Sequence, residues 1–394
     1  MTITLRPHQK TATEAMLVHN KGQVIVPTGG GKTMCMIKDA KKQFESDNPK
    51  TIVVVAPRIL LAEQLCSEFL EVITDPMVRV LHVHSGETHH ESTTEPSYIY
   101  DWAVQTWKRN RIIFTTYHSL KRLQQAGINV HTIYFDEAHN SVQRNFFPPT
   151  EHFAAESDRC YFFTATPKHS ATISKPGMNL PEVYGQVICN VPAPLLVKQG
   201  YILPPKVVVK QLEMAQDKQM IPDRDSANLL ETIEDNEIDK VLICARNTKQ
   251  IIGLISQSDF CKELQQRGYS WMTITSKTGA IIDGQKVNRE QFFETLNAWG
   301  KDSDKKFVVI HHSILSEGIN VSGLEAVLFM RSMDYIGISQ SIGRVIRLGD
   351  AQKTFGLVCV PVYDKVGIST SKKVQAVVDT IFHKGQPAIS VVKR

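Results

Sequence analysis

The stretch from Val24 to Thr33 constrains the fold of this 394-residue chain more than any other part of it. Apolar residues end at Pro27, a glycine run follows, and a segment with helical character then begins. A phosphate-binding loop requires this order of strand, glycine loop and helix. Glycines let backbone N–H groups line a concavity for phosphate oxygens, and the N-terminus of the next helix attracts the same anion. The stretch therefore predicts a nucleotide site.

The side chains of this loop indicate how the nucleotide is held. Lys32 can reach the β- and γ-phosphates, and the Thr33 hydroxyl can ligate Mg²⁺. The general pattern has a glycine where this chain has Val26, so only a shortened form fits, and a flexible strand-to-helix turn is the alternative. The predicted nucleotide-binding residues of the loop are Thr28, Gly29, Gly30, Gly31, Lys32 and Thr33.

Length and composition predict two globular domains without a membrane span. A chain of 394 residues can bury two cores. No apolar run approaches the ~20 residues of a transmembrane helix, and the N-terminus lacks the apolar segment of a signal peptide. The seven cysteines are scattered, so we expect reduced core residues and a cytoplasmic location. A net charge of +5 is compatible with an anionic partner but too small to establish one.

In the first half, apolar runs alternate with helix-like segments, as in a parallel α/β sheet. Such sheets bind ligands at the carboxyl ends of their strands, where Arg58 follows one run. Thr115 and Thr116 end another run and could contact nucleic-acid phosphates or cap the next helix. Upstream of the loop, the Gln9 amide could recognise an adenine on which Arg6 stacks. A solvated loop or first-turn position is the alternative for Arg58 and Gln9.

An acidic pair follows the apolar run at residues 132–135. After a phosphate loop, Asp136 is expected to hold Mg²⁺, and Glu137 is expected to position and deprotonate the attacking water. The same tetrapeptide ends in His139. Thr164 and Thr166 end the next apolar run and could couple His139 to groups across a cleft, although a simple turn is the alternative.

Two segments allow weaker interpretations. Residues 82–91 are rich in histidine, but no ordered ligand spacing indicates a metal site, and residues 85–92 have the composition of a surface loop. Residues 99–107 place Trp102 and Trp107 on one helical face, next to basic residues at positions 108, 109 and 111. We favour a buried face with a charged end over a nucleic-acid surface.

Prolines and a glycine at residues 186–205 indicate a linker, which predicts domains at 1–195 and 206–394. Residues 280–288 and 300–306 have the composition of exposed loops. The second half has no phosphate loop, so we do not expect it to bind its own nucleotide in the same way. Its predicted strands are 207–209, 241–245, 272–275, 307–310, 326–330 and 356–360.

A basic cluster near the end of the chain complements the phosphate loop. Arg344 and Arg347 are three residues apart and share a helical face, with Gln340 one turn earlier. On a domain that lacks a phosphate site, these arginines are predicted to act on the γ-phosphate of the neighbouring domain. A basic surface helix is the alternative.

Taken in order, these motifs resemble those of superfamily 2 helicases. The resemblance implies an α/β fold of two tandem RecA-like P-loop NTPase domains, each a mainly parallel sheet flanked by helices. It also implies ATP and Mg²⁺ in the cleft between them, with nucleic acid across both. Gly318 and Asn320 would then contribute to the nucleotide site, although relatives often have Asp in place of Asn320. The segments that carry the resemblance are 5–9, 27–33, 56–58, 115–116, 136–139 (a DEAH box), 164–167, 317–320 and 340–347.

The last motif, residues 340–347, is similar to the DNA-acting branch that includes XPB, phage UvsW and restriction-enzyme motor subunits. We therefore expect a monomeric, ATP-dependent DNA helicase or translocase, with forked or branched DNA among its substrates. Because the chain has little room for accessory domains, a partner protein is expected to contribute to substrate choice. An RNA helicase, or a binding or annealing subunit without a working motor, are the alternatives. His311 and His312 stand where relatives often have small or hydroxyl residues, which weakens any nucleic-acid contact predicted there.

Overall fold

The computed structural model describes two compact units, each with its own sheet. The first unit comprises residues 1–192 and 387–394, and the second comprises residues 193–386. The predicted ranges, 1–195 and 206–394, differ from this division because the end of the chain returns to the first unit. The described residues are 4–86, 88–172, 175–212, 221–275, 277–312, 323–331, 333–348, 353–363 and 367–392.

Strands and helices alternate along the first unit. Its helices are α1 (Pro7–Val18), α2 (Lys32–Phe44), α3 (Ile59–Val72), α4 (Pro96–Gln105), α5 (Leu120–Ala126), α6 (Phe147–Glu156) and α7 (Pro181–Tyr184), with a 3₁₀ turn at Ala138–Asn140. Its strands are β1 (Lys21–Ile25), β2 (Thr51–Ala56), β3 (Arg79–Val83), β4 (Arg111–Thr116), β5 (Thr132–Phe135), β6 (Arg159–Thr164), β7 (Lys168–His169) and β8 (Val187–Asn190).

Seven of these strands form one sheet in the order β3–β4–β2–β5–β6–β1–β8, and every described pair is parallel. Every residue of β2, β5 and β6 is buried, as expected for strands covered on both faces. Helices α4 to α7 pack in one core cluster with the strands, and α2 contacts both α1 and α3. The glycine loop follows β1, which lies inside the sheet.

The second unit has a mixed sheet. Its helices are α8 (Ala193–Lys198), α9 (Ile221–Asp235), α10 (Thr248–Ser256), α11 (Phe260–Gln266), α12 (Arg289–Lys301), α13 (Tyr335–Val345) and α14 (Ile368–Val378), with a π-helical turn at Asp379–His383. Its strands are β9 (Pro205–Leu212), β10 (Lys240–Cys244), β11 (Ser270–Thr275), β12 (Gly279–Ile282), β13 (Gln285–Val287), β14 (Phe307–His311), β15 (Ala326–Phe329) and β16 (Gly356–Tyr363). They are ordered β13–β12–β11–β14–β10–β15–β16–β9.

Two sequence predictions for connecting segments are wrong. Residues 280–288, predicted as an exposed loop, contain most of the antiparallel hairpin β12–β13. Its turn residues, Asp283 and Gly284, both have positive φ, as a two-residue hairpin turn requires. The predicted linker at 186–205 contains β8 and α8, because apolar residues between its prolines complete the first sheet and a short helix.

A last strand, β17 (Ser390–Val391), pairs in parallel with β7 and returns the chain to the first unit. The sequence analysis did not predict this strand. Within the part of the chain that the structure describes, no helix combines the length and apolar content that a membrane crossing would require.

Candidate nucleotide site

The glycine loop joins β1 to α2 at the carboxyl edge of the first sheet. Val26 N–H donates to the Thr164 carbonyl at 3.1 Å, which ties the start of the loop to the end of β6. Gly29 and Gly31 have φ of 85° and 80°, a region that favours glycine. Gly31 is also the residue that precedes α2, so the backbone opens onto the N-terminus of that helix. This geometry suits an anion.

Residues at the start of α1 brace the loop. Gln9 Nε2 donates to the Gly31 carbonyl at 3.2 Å, while Gln9 Oε1 accepts from Arg6 N–H at 2.9 Å. His8 Nε2 lies 2.7 Å from the Gly30 carbonyl, and burial lowers the pKa of this imidazole. Gln9 therefore holds the loop backbone, and the contacts of Gln9 and Arg6 with an adenine stay predictions. The sequence analysis missed His8, and no pattern in the chain distinguishes it.

The acidic pair lies beside the loop lysine. Lys32 Nζ is 3.3 Å from Glu137 Oε1, and both side chains are about nine-tenths buried. Glu137 has φ of 46°, a left-handed conformation that costs a non-glycine residue roughly 1–3 kcal/mol. Asn140 Nδ2 donates to the Glu137 carbonyl at 3.1 Å, which helps to hold this conformation. The strained backbone directs the Glu137 side chain towards Lys32.

Asp136 is a buried carboxyl group in the same turn. Burial and, to a smaller extent, the Glu137 charge raise its pKa, while Lys32 opposes both effects, and the net pKa is about 7. A divalent cation would relieve this cost by holding the carboxylate ionised. Carboxylate and hydroxyl oxygens are the donors that Mg²⁺ prefers, so Asp136 and Thr33 fit the predicted metal.

A chain of contacts leads from Glu137 to the end of β6. His139 Nδ1 lies 3.6 Å from Glu137 Oε2 and 3.0 Å from Thr164 Oγ1. Thr164 Oγ1 also accepts from Thr166 N–H at 3.1 Å. Among the described residues, the buried Thr166 hydroxyl has no hydrogen-bond partner. The structure thus joins the three predicted coupling residues in one network.

The predicted nucleic-acid contacts lie at the same edge, but their hydroxyl groups have partners within the protein. Thr115 Oγ1 donates to the Val83 carbonyl at 2.9 Å, and Thr116 Oγ1 accepts from Ser119 N–H at 3.3 Å. Arg58 precedes α3 and is partly buried. Binding of nucleic acid by these three residues stays a prediction.

In the second unit, the arginine motif lies on and just after α13. Gln340 and Arg344 are 7% and 3% exposed, so a basic surface helix does not describe this segment. Arg347 follows the helix and is partly buried. Asp334 caps α13 by accepting from Gly337 N–H at 2.9 Å. Two further predicted residues, Gly318 and Asn320, lie outside the described residues.

The strand ends behind α13 carry a cluster that the sequence analysis missed. His311 Nε2 is 3.3 Å from Cys244 Sγ, and this sulfur lies 3.8 Å from Ser341 Oγ on α13. Burial lowers the pKa of His311 well below its usual value, with the Arg344 and Arg331 charges adding to the effect. His311 is therefore a neutral packing residue beside the arginine motif.

Residues 2–169 match the family model described as "Type III restriction enzyme, res subunit". The fold is similar to that of the ATP-dependent Type ISP restriction-modification enzyme LlaBIII bound to DNA, with a TM-score of 0.76 and 18% identity over 99% of this chain and 31% of that chain. The fold is also similar to that of a nuclease-deletion mutant of the Type ISP enzyme LlaGI in complex with a DNA substrate mimic. That comparison gives a TM-score of 0.70 and 19% identity over 98% of this chain and 30% of that chain. The family match covers residues 2–169 only, whereas the similarity in fold extends over nearly the whole chain.

The fold is also similar to that of Dbp5 from S. cerevisiae bound to RNA and ADP BeF3. That comparison gives a TM-score of 0.59 and 15% identity over 98% of this chain and 89% of that chain. The prediction of two tandem RecA-like domains is therefore confirmed. The chain spans about a third of the length of the two restriction enzymes. No curated protein sequence matches it.

Two weaker interpretations of the sequence can be compared with the structure. No group of three or more metal-binding side chains occurs among the residues that the structure describes. His82 and His84 are buried at the end of β3. In α4, Trp102 is buried as expected, but Trp107 is 63% exposed beyond the helix end. The buried-face interpretation is therefore right for Trp102 and wrong for Trp107.

Proposed function

We propose that this chain is a superfamily 2 helicase core, an ATP-dependent motor that acts on DNA and uses Mg²⁺. The observation that carries the proposal is the Lys32–Glu137 pair, which places a phosphate-binding cation and a candidate general base 3.3 Å apart beside a glycine loop. Glu137 positions and deprotonates the attacking water, and its strained backbone holds it in place before substrate arrives. When bound, Mg²⁺ on Asp136 and Thr33 would neutralise charge on the phosphates.

The arginine motif completes the proposed machinery. Arg344 and Arg347 act on the γ-phosphate, where arginine fingers accelerate phosphoryl transfer by ~10³–10⁵. Gly318 and Asn320 contribute nucleotide contacts, and Gln340 supports the arginines. Arg347→Ala should lower kcat with little loss of ATP affinity. A large affinity loss without a change in kcat would exclude a finger role.

DNA is the favoured substrate because the two DNA-bound structures, LlaBIII and LlaGI, have the higher TM-scores. Contacts to the phosphodiester backbone would be mainly electrostatic and independent of sequence. The test is phosphate release with single-stranded, duplex, forked and branched DNA and with RNA, each with Glu137→Gln as a control for contaminating ATPases. Stimulation by DNA that disappears in the Glu137→Gln variant is expected.

An RNA helicase is the second candidate. The RNA-bound Dbp5 match covers nearly all of both chains, whereas the restriction enzymes are three times longer. Stimulation by RNA alone would favour this candidate and contradict the DNA proposal. Nucleic-acid binding without phosphate release under any of these conditions would indicate a subunit that has no working motor.

A further inference from the structure

Strand β17 attaches the C-terminal residues to the segment that follows Thr166. Ser390 N–H donates to the Pro167 carbonyl at 3.0 Å, and Val392 N–H donates to the His169 carbonyl at 2.8 Å. The register pairs Ser390 with Lys168 and Val391 with His169 in parallel. The segment after the coupling threonines therefore takes part of its backbone pairing from residues more than 200 positions later, in addition to a local bond from Met178 N–H to the Lys168 carbonyl at 2.7 Å.

Side chains anchor this strand in the first unit. Ala388 and Ser390 are 4% and 7% exposed, and Val392 packs against the core cluster that contains β5 and β6 residues. Val391, by contrast, is 54% exposed. The alternation of buried and exposed residues shows that β17 is a docked strand with a defined register.

The anchored segment is continuous with the contacts around Glu137. Pro167 directly follows Thr166, whose N–H donates to Thr164 Oγ1, and Thr164 lies 3.0 Å from His139. His139 is in turn 3.6 Å from Glu137. A short path of bonded and contacting groups therefore joins β17 to the candidate general base.

The same strand is covalently joined to the second unit. The chain enters that unit after Pro192 and leaves it after Gln386. Residues 387–389 alone separate Gln386 from Ser390. Two peptide connections thus join the two units. The second connection leads directly into β17, which pairs with the segment that follows the coupling threonines.

We propose that β17 is a positioning strand for ATP turnover. Ser390 and Val392 hold residues 167–169, and this support sets Thr164 and His139 against Glu137. A displacement of Gln386 is passed through three residues to this network, so turnover in the first unit depends on the second. The proposal rests on the proposed motor function, because its activity readout is nucleic-acid-stimulated hydrolysis.

Proline substitutions test the strand with a matched control. Ser390→Pro and Val392→Pro each remove one N–H donor of the ladder, whereas Val391→Pro leaves both described donors in place. We measure kcat and KM for ATP with and without DNA or RNA, and amide hydrogen exchange of residues 164–169. The two donor-removing variants should lose about tenfold in stimulated kcat, with KM unchanged within about twofold, and should exchange faster. Val391→Pro should behave as the parent.

Equal kcat in all three proline variants would overturn the proposal. If no nucleic acid stimulates ATP hydrolysis by the parent protein, the proposed motor function is wrong. Hydrogen exchange alone then tests whether β17 is a positioning strand. Faster exchange in Ser390→Pro than in Val391→Pro then supports the positioning strand, and equal exchange overturns it. If the donor-removing variants do not fold, Val392→Ala replaces them in both measurements, with Val391→Ala as its control.

Discussion

Lys32 Nζ lies 3.3 Å from Glu137 Oε1, so the cation that is predicted to bind phosphate is already paired with the candidate general base. An arriving triphosphate must compete with Glu137 for this ammonium group. In the proposed mechanism, Lys32 turns from Glu137 to the phosphate, and the Glu137 carboxylate then accepts a proton from water. The pair therefore links phosphate binding to the readiness of the base.

Replacing Glu137 by Gln should separate binding from turnover. The amide removes the charge that competes for Lys32, so ATP affinity should rise by roughly fivefold, equivalent to a net contribution of about 1 kcal/mol from the ion pair. Turnover should fall at least about 100-fold because the general base is lost. Titration with a fluorescent ATP analogue and phosphate release measure the two effects. Glu71→Gln, at an exposed position on α3, serves as the control. Parental turnover in Glu137→Gln would contradict the role of the base.

Gly31 should not tolerate a side chain, for two independent reasons. Its φ of 80° disfavours any L-residue by roughly 1–2 kcal/mol, and an added Cβ would lie 2.4 Å from Gln9 Nε2. At Gly127, φ is 64° but no atom lies within 4 Å of an added Cβ. Gly127→Ala therefore isolates the backbone cost, and Gly31→Ala should lose more stability and most ATP affinity. Thermal melts and nucleotide titrations compare the two. An equal loss of stability would show that the Gln9 side chain moves aside from the added methyl group without a measurable cost.

Much of the first unit could be predicted because its strands are buried on both faces and appear as apolar runs. The carboxyl ends of β1, β5 and β6 meet at one sheet edge, which is why residues as distant as Lys32 and Glu137 could be assigned to one site. The bracing of the loop by His8 and Gln9 could not be predicted, since it depends on how α1 packs. The positive φ of Glu137 likewise has no sequence signal.

The β12–β13 hairpin has a recognisable signal in the sequence, whereas strand β17 has none. The Asp283–Gly284 pair is a strong hairpin signal directly after the apolar residues 280–282, so the β12–β13 hairpin could have been predicted. Strand β17 is only two residues long, too short for an alternating pattern to be recognised. Its pairing with β7 arises from tertiary packing of Ser390 and Val392, which only the structure shows.

The buried pair Asp39–Arg159 should stabilise the first unit only while both partners are present. Arg159 donates to both oxygens of Asp39 at 2.8 Å, and to the Met16 carbonyl at 2.9 Å. Removing one partner leaves the other charge buried, so Asp39→Ala should cost about 3–5 kcal/mol in the free energy of unfolding. The double variant Asp39→Leu/Arg159→Met should recover much of this loss.

Urea denaturation measures the free energy of unfolding of each variant of the Asp39–Arg159 pair. The exposed pair Lys10–Glu14 is the reference, because Glu14→Ala should cost no more than about 0.5 kcal/mol. A loss in Asp39→Ala as small as that in Glu14→Ala would contradict the structural role of the buried pair.

Acid should destabilise the first unit through His82. This imidazole is fully buried, with Nδ1 2.9 Å from His84 Nε2 and its ring stacked on Phe114. Burial lowers its pKa to about 3, with the charges of His84 and His90 adding to the effect. The folded pKa lies below the unfolded value of about 6.5, so the stability that neutral His82 contributes is present above pH 6.5 and is lost as the pH falls towards 3.

At pH 5, His82 should therefore cost about 2 kcal/mol of unfolding free energy relative to pH 7.5, or about 1.4 kcal/mol per pH unit below 6.5. His82→Phe retains an aromatic ring beside Phe114 but cannot take up a proton, so its stability should fall less steeply with decreasing pH. Denaturation at intervals from pH 7.5 to 5 measures both slopes. Identical slopes in the parent and the variant would show that His82 does not remain neutral in the folded state.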